Sequence, residues 1–157
     1  MEKQQTQEKI KEILTTILKE SGAEKDLSIE VTELEDLFHV DIQSPDDNLL
    51  IGYHGFTLNA LQHITNAILY KIDPESRVII DISGYRKERE RKLQELAANA
   101  ASKAIFINKS VALYPMNSYE RRIVHEKISQ IEGVTSSSDG EGIERKVIIS
   151  PHEVHSN

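Results

Sequence analysis

Two glycines three residues apart, Gly52 and Gly55, interrupt a stretch that otherwise reads as helix. That interruption limits the folds open to this chain more than any other feature. Before it, Pro45-Asp46-Asp47-Asn48 offers cap residues for a very short helix, Leu49 to Ile51. After it, Leu58, Leu61, Thr65, Ile68 and Ile72 recur on one face of a helix from Phe56 to about Lys71, which Asp73-Pro74 ends. Upstream, Ser28 to Glu33 and the alternating Phe38, Val40 and Ile42 predict two strands. The short Glu35-Asp36 turn between them predicts an antiparallel hairpin. Arg77 to Ser83 reads as a third strand, with Val78, Ile80 and Ile82 on one side. Residues 6–20 carry Ile10, Ile13, Leu14, Ile17 and Leu18 at helical spacing, and Ser21-Gly22 stops them. The order helix, strand, strand, short helix, glycine loop, helix, strand closes a two-layer unit of about 80 residues.

Only Gly84 separates the third strand from the next helix, so no flexible linker fits there. That helix runs to about Asn108. Its first half is the charged run Arg86 to Lys92, and its second half is a stripe of small residues, Ala97, Ala100, Ala101 and Ala104. Val111 to Leu113 predicts a short strand. Asn117-Ser118-Tyr119-Glu120 resembles a capping box at the head of a helix that reaches about Ile131 and stops at Gly133. Val134 to Ser138 and Arg145 to Ser150 predict two strands around Asp139-Gly140-Glu141-Gly142. Pro151 to Asn157 is expected to fray, and Ser136-Ser137-Ser138 is too short to count as low complexity. The fold class is therefore α+β in two small domains, residues 1–83 and 84–157.

The net charge of −7 argues against an anionic partner, but the average hides an asymmetry. Residues 1–83 hold 7 basic and 16 acidic side chains, residues 84–131 hold 10 and 5, and residues 132–157 hold 2 and 5. A basic segment between acidic ones marks either an anionic partner or a solvated helix face laced with ion pairs. With no cysteine, disulfides, thiolate metal sites and cysteine nucleophiles are excluded. No run approaches the ~20 apolar residues of a membrane span. The charged amphipathic stretch after Met1 does not read as a signal peptide. Neither a P-loop string nor a G-x-S-x-G elbow occurs, so an enzyme is not expected. His152 and His155 lack organised partners for a metal, and His39 and His63 are isolated. Glu30, Glu33, Glu35 and Asp36 read as a solvated hairpin tip. No metal, cofactor or small-molecule substrate is expected.

Two constellations carry binding chemistry. In Gly52-Tyr53-His54-Gly55 the glycines admit a close backbone, and the following helix start offers N–H groups and a positive dipole end to a phosphate. In Arg121-Arg122-Ile123-Val124-His125, Arg121 and His125 stand four apart on one helix face, where a cation beside an imidazole suits a phosphate and a stacked base.

The first constellation, in its helix–GxxG–helix setting, resembles the KH domain in its type II element order. KH domains clamp about four nucleotides of single-stranded nucleic acid with that loop. The resemblance implies phosphate contacts at Gly52, Tyr53, His54 and Gly55, with bases in an apolar groove between the loop and the strand beside the hairpin. The two central positions are commonly basic in that family. Here they are Tyr53 and His54, so phosphate attraction is expected to be weaker. The string Pro115 to His125, with Tyr85-Arg86-Lys87 opening the preceding helix and Arg145-Lys146-Val147-Ile148-Ile149 as a last strand, resembles the R-three-H domain. Its defining pair falls on Arg121 and His125, with Arg122, Tyr119, Arg86 and Lys87 as further candidates. The two in this order resemble the bacterial Jag (SpoIIIJ-associated) family of RNA-binding proteins, without that family's extra N-terminal domain. The resemblance implies a cytoplasmic protein that binds single-stranded RNA, a second small KH-domain protein as partner, and a part in cell elongation or division. Two other readings stay open: a protein-interaction adaptor with a degenerate KH domain, and single-stranded DNA binding through the second domain alone.

Overall fold

The computed structural model describes residues 3–23, 25–35 and 37–152. Helix α1 (Lys3–Glu20) is followed by strands β1 (Ser28–Leu34) and β2 (Leu37–Gln43), helices α2 (Asp47–Ile51) and α3 (Phe56–Ile72), and strand β3 (Val78–Ile82). Strands β1 and β2 pair antiparallel from Ser28↔Gln43 to Leu34↔Leu37, the expected hairpin; Asp36 of its turn lies outside the described residues. Strand β3 joins β2 in parallel, from Phe38↔Val78 to Ile42↔Ile82, so β3 is an edge strand. This register puts Phe38, Val40, Ile42, Val78, Ile80 and Ile82 on one face, all buried under Ile10, Leu14 and Leu18 of α1 and Leu58, Leu61 and Leu69 of α3. Each such Leu or Ile contributes about 1.5–3 kcal/mol by leaving water.

The buried stripe of α3 differs from the expected one. Leu69 is buried, whereas Ile68 and Ile72 are exposed. At about 100° per residue, Leu69 returns to within about 20° of Leu58, while Ile68 falls about 80° to the side. Ile72 sits in the last turn. The short helix also differs: α2 starts at Asp47, and no side chain caps it. The Asp47 carboxylate instead accepts from the Ser44 N–H at 3.1 Å.

The second sheet has the order β4-β6-β5, all antiparallel: β4 (Val111–Ala112), β5 (Val134–Asp139) and β6 (Lys146–Pro151). Helices α4 (Tyr85–Ile107) and α5 (Ser118–Ser129) supply the rest of that core. Leu93 and the alanine stripe Ala97, Ala100, Ala101 and Ala104 are buried with Ile123, Val124, Ile128, Val147 and Ile149. Pro151 does not fray. It pairs with Val134 at the end of β6, and the next N–H, of His152, donates to the Gly133 carbonyl. His155 lies outside the described residues.

The chain divides into two compact units between Arg86 and Lys87, inside α4. The division falls past Gly84 because the first two residues of α4 are fastened to the first unit. Tyr85 packs against its core, and Arg86 hydrogen-bonds to β3 and α3.

Candidate nucleic-acid interface

The first site is built from backbone. Gly52 has φ 70° and ψ −174°, and a Cβ there would lie 2.1 Å from the Thr57 hydroxyl. Only glycine fits. Tyr53, His54 and Gly55 form one tight turn in which His54, at φ 51°, already occupies the left-handed region. Gly55, at φ 81°, stands at the head of α3, and no side chain caps that helix start. The turn throws its aromatic rings outward. Tyr53 is 73% exposed and Phe56 is 56% exposed. Tyr53 stacks on His54 at 3.8 Å and on Phe56 at 6.2 Å between centroids. A glycine turn at an uncapped helix start suits a phosphate, and exposed ring faces suit bases. Phe56 was missed by the sequence reading; an aromatic directly after the second glycine is the signal that marks it.

Beside the loop, side chains of α3 occupy the edge of β3. Asn66 Oδ1 accepts from the Val78 N–H at 2.9 Å, and its Nδ2 donates to the Val78 carbonyl at 2.8 Å. Gln62 Oε1 accepts from the Ile80 N–H at 2.9 Å. Arg86 completes the row. Its Nε donates to the Ile80 carbonyl at 2.8 Å and its Nη2 to Gln62 Oε1 at 3.0 Å.

The second site is built from side chains. Asn117 caps α5, its side-chain Oδ1 accepting from the Glu120 N–H at 2.9 Å. One turn on, Arg121 Nη1 donates to the Met116 carbonyl at 2.7 Å, and the Met116 N–H donates to the Arg145 carbonyl at 3.1 Å. The Arg145 backbone thus joins the segment that the Arg121 side chain holds, while the Arg145 Nη1 donates to the Gly140 carbonyl at 2.7 Å. His125, one turn beyond Arg121, reaches β5 with both ring nitrogens: Nδ1 is 2.7 Å from Ser136 Oγ and Nε2 is 2.8 Å from Ser138 Oγ. Burial, then the charges of Arg121 and Arg145, lower the His125 pKa from its ordinary value. Arg122 is exposed and paired with Glu126 at 3.1 Å, and Tyr119 is exposed. Ser136, Ser138 and Arg145 were missed. Two serines two apart on a strand share a face, and that period was the available signal.

The basic run before Lys92 is largely committed to the fold. Arg86 is used at β3, as above. Arg89 is half-buried and pairs with buried Glu120 at 2.8 Å. Burial would lower the Arg89 pKa, but the hydrogen bond and charge of Glu120 hold it above its ordinary value. Arg91 pairs with Glu88 at 2.7 Å and with Glu95 at 2.5 Å. Lys87 is exposed. Glu120, expected to complete a capping box, turns its carboxylate to Arg89. At the expected acidic tip, Glu33 pairs with Lys3. Among the described residues no group of three metal-ligating side chains gathers, and no helix is long and apolar enough to cross a membrane.

A glycine loop between two helices over a mixed three-stranded sheet, then an Arg–His helix against a second sheet, defines the class: a type II KH domain followed by an R-three-H domain. Residues 7–82 match the KH domain of KhpA and KhpB, and residues 91–151 match the R-three-H domain. A protein of Clostridium symbiosum named RNA-binding protein KhpB is 37% identical over 149 residues, 94% of this chain and 67% of that protein. The Bacillus subtilis protein of that name is 32% identical over 140 residues, 87% of this chain and 66% of that one. The one of Lactiplantibacillus plantarum is 31% identical over 138 residues, 87% of this chain and 42% of that one. The chain belongs to the KhpB, or Jag, family, whose members here are named RNA-binding proteins, and it spans about two fifths to two thirds of their length.

Proposed function

We propose that the chain binds single-stranded RNA. The observation that carries this is the outward ring stack of Tyr53, His54 and Phe56 on a glycine turn at an uncapped helix start. The names of the relatives support it. In this reading Gly52 and Gly55 admit the sugar–phosphate backbone, and Tyr53, His54 and Phe56 stack bases. Arg121, Arg122, Arg145 and Lys87 supply charge, and His125 orients the serines of β5. Arg86 acts through the structure of the first unit, not by contacting phosphate. The setting is the bacterial cytoplasm. Post-transcriptional control linked to cell elongation or division rests on the family resemblance alone; the cell-length distribution of a deletion strain tests it.

The deciding experiment is fluorescence anisotropy of a labelled, unstructured RNA and its DNA counterpart at several salt concentrations. The proteins are wild type, Tyr53→Asp with His54→Asp, and Arg121→Ala. Binding should fall with salt as phosphate contacts release counterions, and both variants should weaken it. Wild type that binds neither strand at low salt overturns the reading.

A second reading has its own observation. Ile64, Ile68 and Ile72 form an exposed apolar row on α3. Such a row suits a protein partner, and a second small KH-domain protein is the one the family name suggests. If the double loop variant leaves RNA affinity unchanged but abolishes a partner complex, the adaptor reading wins.

A further inference from the structure

The residues between the two family matches, 83–90, belong to neither. Two of them touch the glycine loop and its helix. A Cβ on Gly55 would lie 3.0 Å from Tyr85 Cε1 and 3.4 Å from Tyr85 Oη, so the ring of Tyr85 lies directly against the turn. Tyr85 is also half-buried against the core under α3. The next residue, Arg86, is held by both its backbone and its side chain. Its N–H donates to Asp81 Oδ1 at 3.1 Å, and its guanidinium reaches the Ile80 carbonyl, Gln62 and Asn59 at 2.8, 3.0 and 3.4 Å. Asn59, Gln62 and Asn66 run down one side of α3 from the loop, and Arg86 ties the first two of them to β3.

From this geometry we infer that Tyr85 and Arg86 are positioning residues for the loop site: Tyr85 holds the Gly52–Gly55 turn in its binding shape, and Arg86 fixes the helix that starts there against β3. The inference rests on the RNA-binding reading and deepens it. A turn with two glycines and a left-handed His54 has no conformational preference strong enough to keep it closed. Its neighbours must supply the constraint. On one side this is Thr57, which sits where a Gly52 Cβ would be; on the other it is the Tyr85 ring. A loop held in its bound shape spares RNA the cost of ordering it. The functional unit of the first domain therefore extends through Arg86.

The test uses the full chain carrying Tyr85→Ala, Tyr85→Phe, Tyr85→Leu, Arg86→Ala or Arg86→Lys. Amide hydrogen exchange of peptides covering residues 52–58 is read without RNA, and anisotropy with the labelled RNA is read alongside. Tyr85→Ala is expected to speed exchange at 52–58 and weaken RNA binding by about ten-fold, the scale of ordering a few groups. Exchange in β1 and β2 should stay at its wild-type rate. Tyr85→Phe keeps the ring and should restore both readouts. Arg86→Ala should speed exchange at 78–80 and in the first turns of α3, and Arg86→Lys should not restore it, because one ammonium cannot span the Ile80 carbonyl and Gln62. If Tyr85→Ala unfolds the first unit, Tyr85→Leu keeps apolar contact with the core but not the reach to Gly55, and the same contrast with Tyr85→Phe is read. Unchanged exchange at 52–58 in the variants lacking the ring overturns the inference whatever the RNA result. Faster loop exchange with RNA affinity unchanged overturns it too. Wild type that binds no RNA overturns the functional reading, and the exchange readout then still decides whether Tyr85 holds the loop.

Discussion

The two candidate sites reach a similar end by opposite means. The loop of the first unit is made of backbone and rings, in a half of the chain with 7 basic and 16 acidic residues. The face of the second unit is made of side chains: two arginines, a histidine and two serines gathered from α5, β5 and the residue before β6. A backbone site depends on shape and tolerates an unfavourable surrounding charge. A side-chain site depends on charge and must be held by partners that are themselves buried. The two should therefore fail under different perturbations.

The largest expected effect lies behind the second site. Glu120 is only 5% exposed and receives the Arg89 guanidinium at 2.8 Å. Glu120→Ala leaves a half-buried cation without its partner, and a loss towards the lower end of the range for buried pairs, about 3 kcal/mol, follows from such removals. Amide exchange should collapse at Val147 and Ile149 and hold at Val40 and Ile80. Equal loss in both units would break the comparison, because the first core contains no such pair among its described residues.

Next comes the loop itself. Gly52→Ala places a methyl carbon 2.1 Å from the Thr57 hydroxyl, on top of a positive φ with extended ψ that costs an L-residue about 1–3 kcal/mol. RNA binding should fall by about ten-fold or more. Gly84→Ala is the control, since it shares φ 70° but meets no atom within 4 Å. If the two variants lose equal affinity, crowding by Thr57 is not what reserves position 52 for glycine.

The contrast also explains what could be read from the sequence. The glycine loop, the hairpin and the buried faces of α1 and α4 were legible because local spacing determines them. Leu58 and Leu61 fixed the phase of α3 well enough to find the helix, but not to choose Leu69 over Ile68. The fate of the basic run was not legible at all. Arg89 finds its partner 31 residues away in Glu120, and Arg86 finds Gln62 24 residues back. Nothing local distinguishes those two arginines from Arg91, which spends its charge on neighbours in its own helix. The serines were passed over for a similar reason. Ser136 and Ser138 gain their role only when α5 brings His125 across β5.

A salt titration separates the two sites more finely. Arg145→Ala and Arg121→Ala should weaken binding to all sequences and lower the slope of log affinity against log salt by about one each. Tyr53→Ala removes a stacking face and should cost about 1 kcal/mol with the slope unchanged. A lower slope from Tyr53→Ala, or an unchanged one from Arg145→Ala, would erase the distinction between a shape site and a charge site.

The smallest effect is the pH dependence of the second site, and its sign follows from His125. Burial and the nearby Arg121 and Arg145 charges depress its folded pKa, whereas the unfolded chain titrates near the ordinary value of about 6.5. The unfolded state therefore binds more protons in the window below about 6.5. The contribution of His125 to stability is fully present above that value and is lost as pH falls through it towards the folded pKa. The hydrogen bonds agree with this sign. A neutral ring donates from one nitrogen and accepts at the other, so one serine hydroxyl accepts and the other donates. A protonated ring donates from both and forces the second hydroxyl to turn round. The His125 ring-proton NMR titration should thus have its midpoint below 6.5 in the free protein. Arg145→Ala removes a repelling cation and should raise that midpoint. Added RNA should raise it as well, because a phosphate beside His125 offsets the charges of Arg121 and Arg145. Binding would then take up protons, and affinity would strengthen slightly as pH falls from neutrality, an increment that His125→Asn should abolish. A midpoint that RNA leaves in place would mean that no phosphate sits beside His125, and the charge site would have to be sought around Arg122 and Lys87.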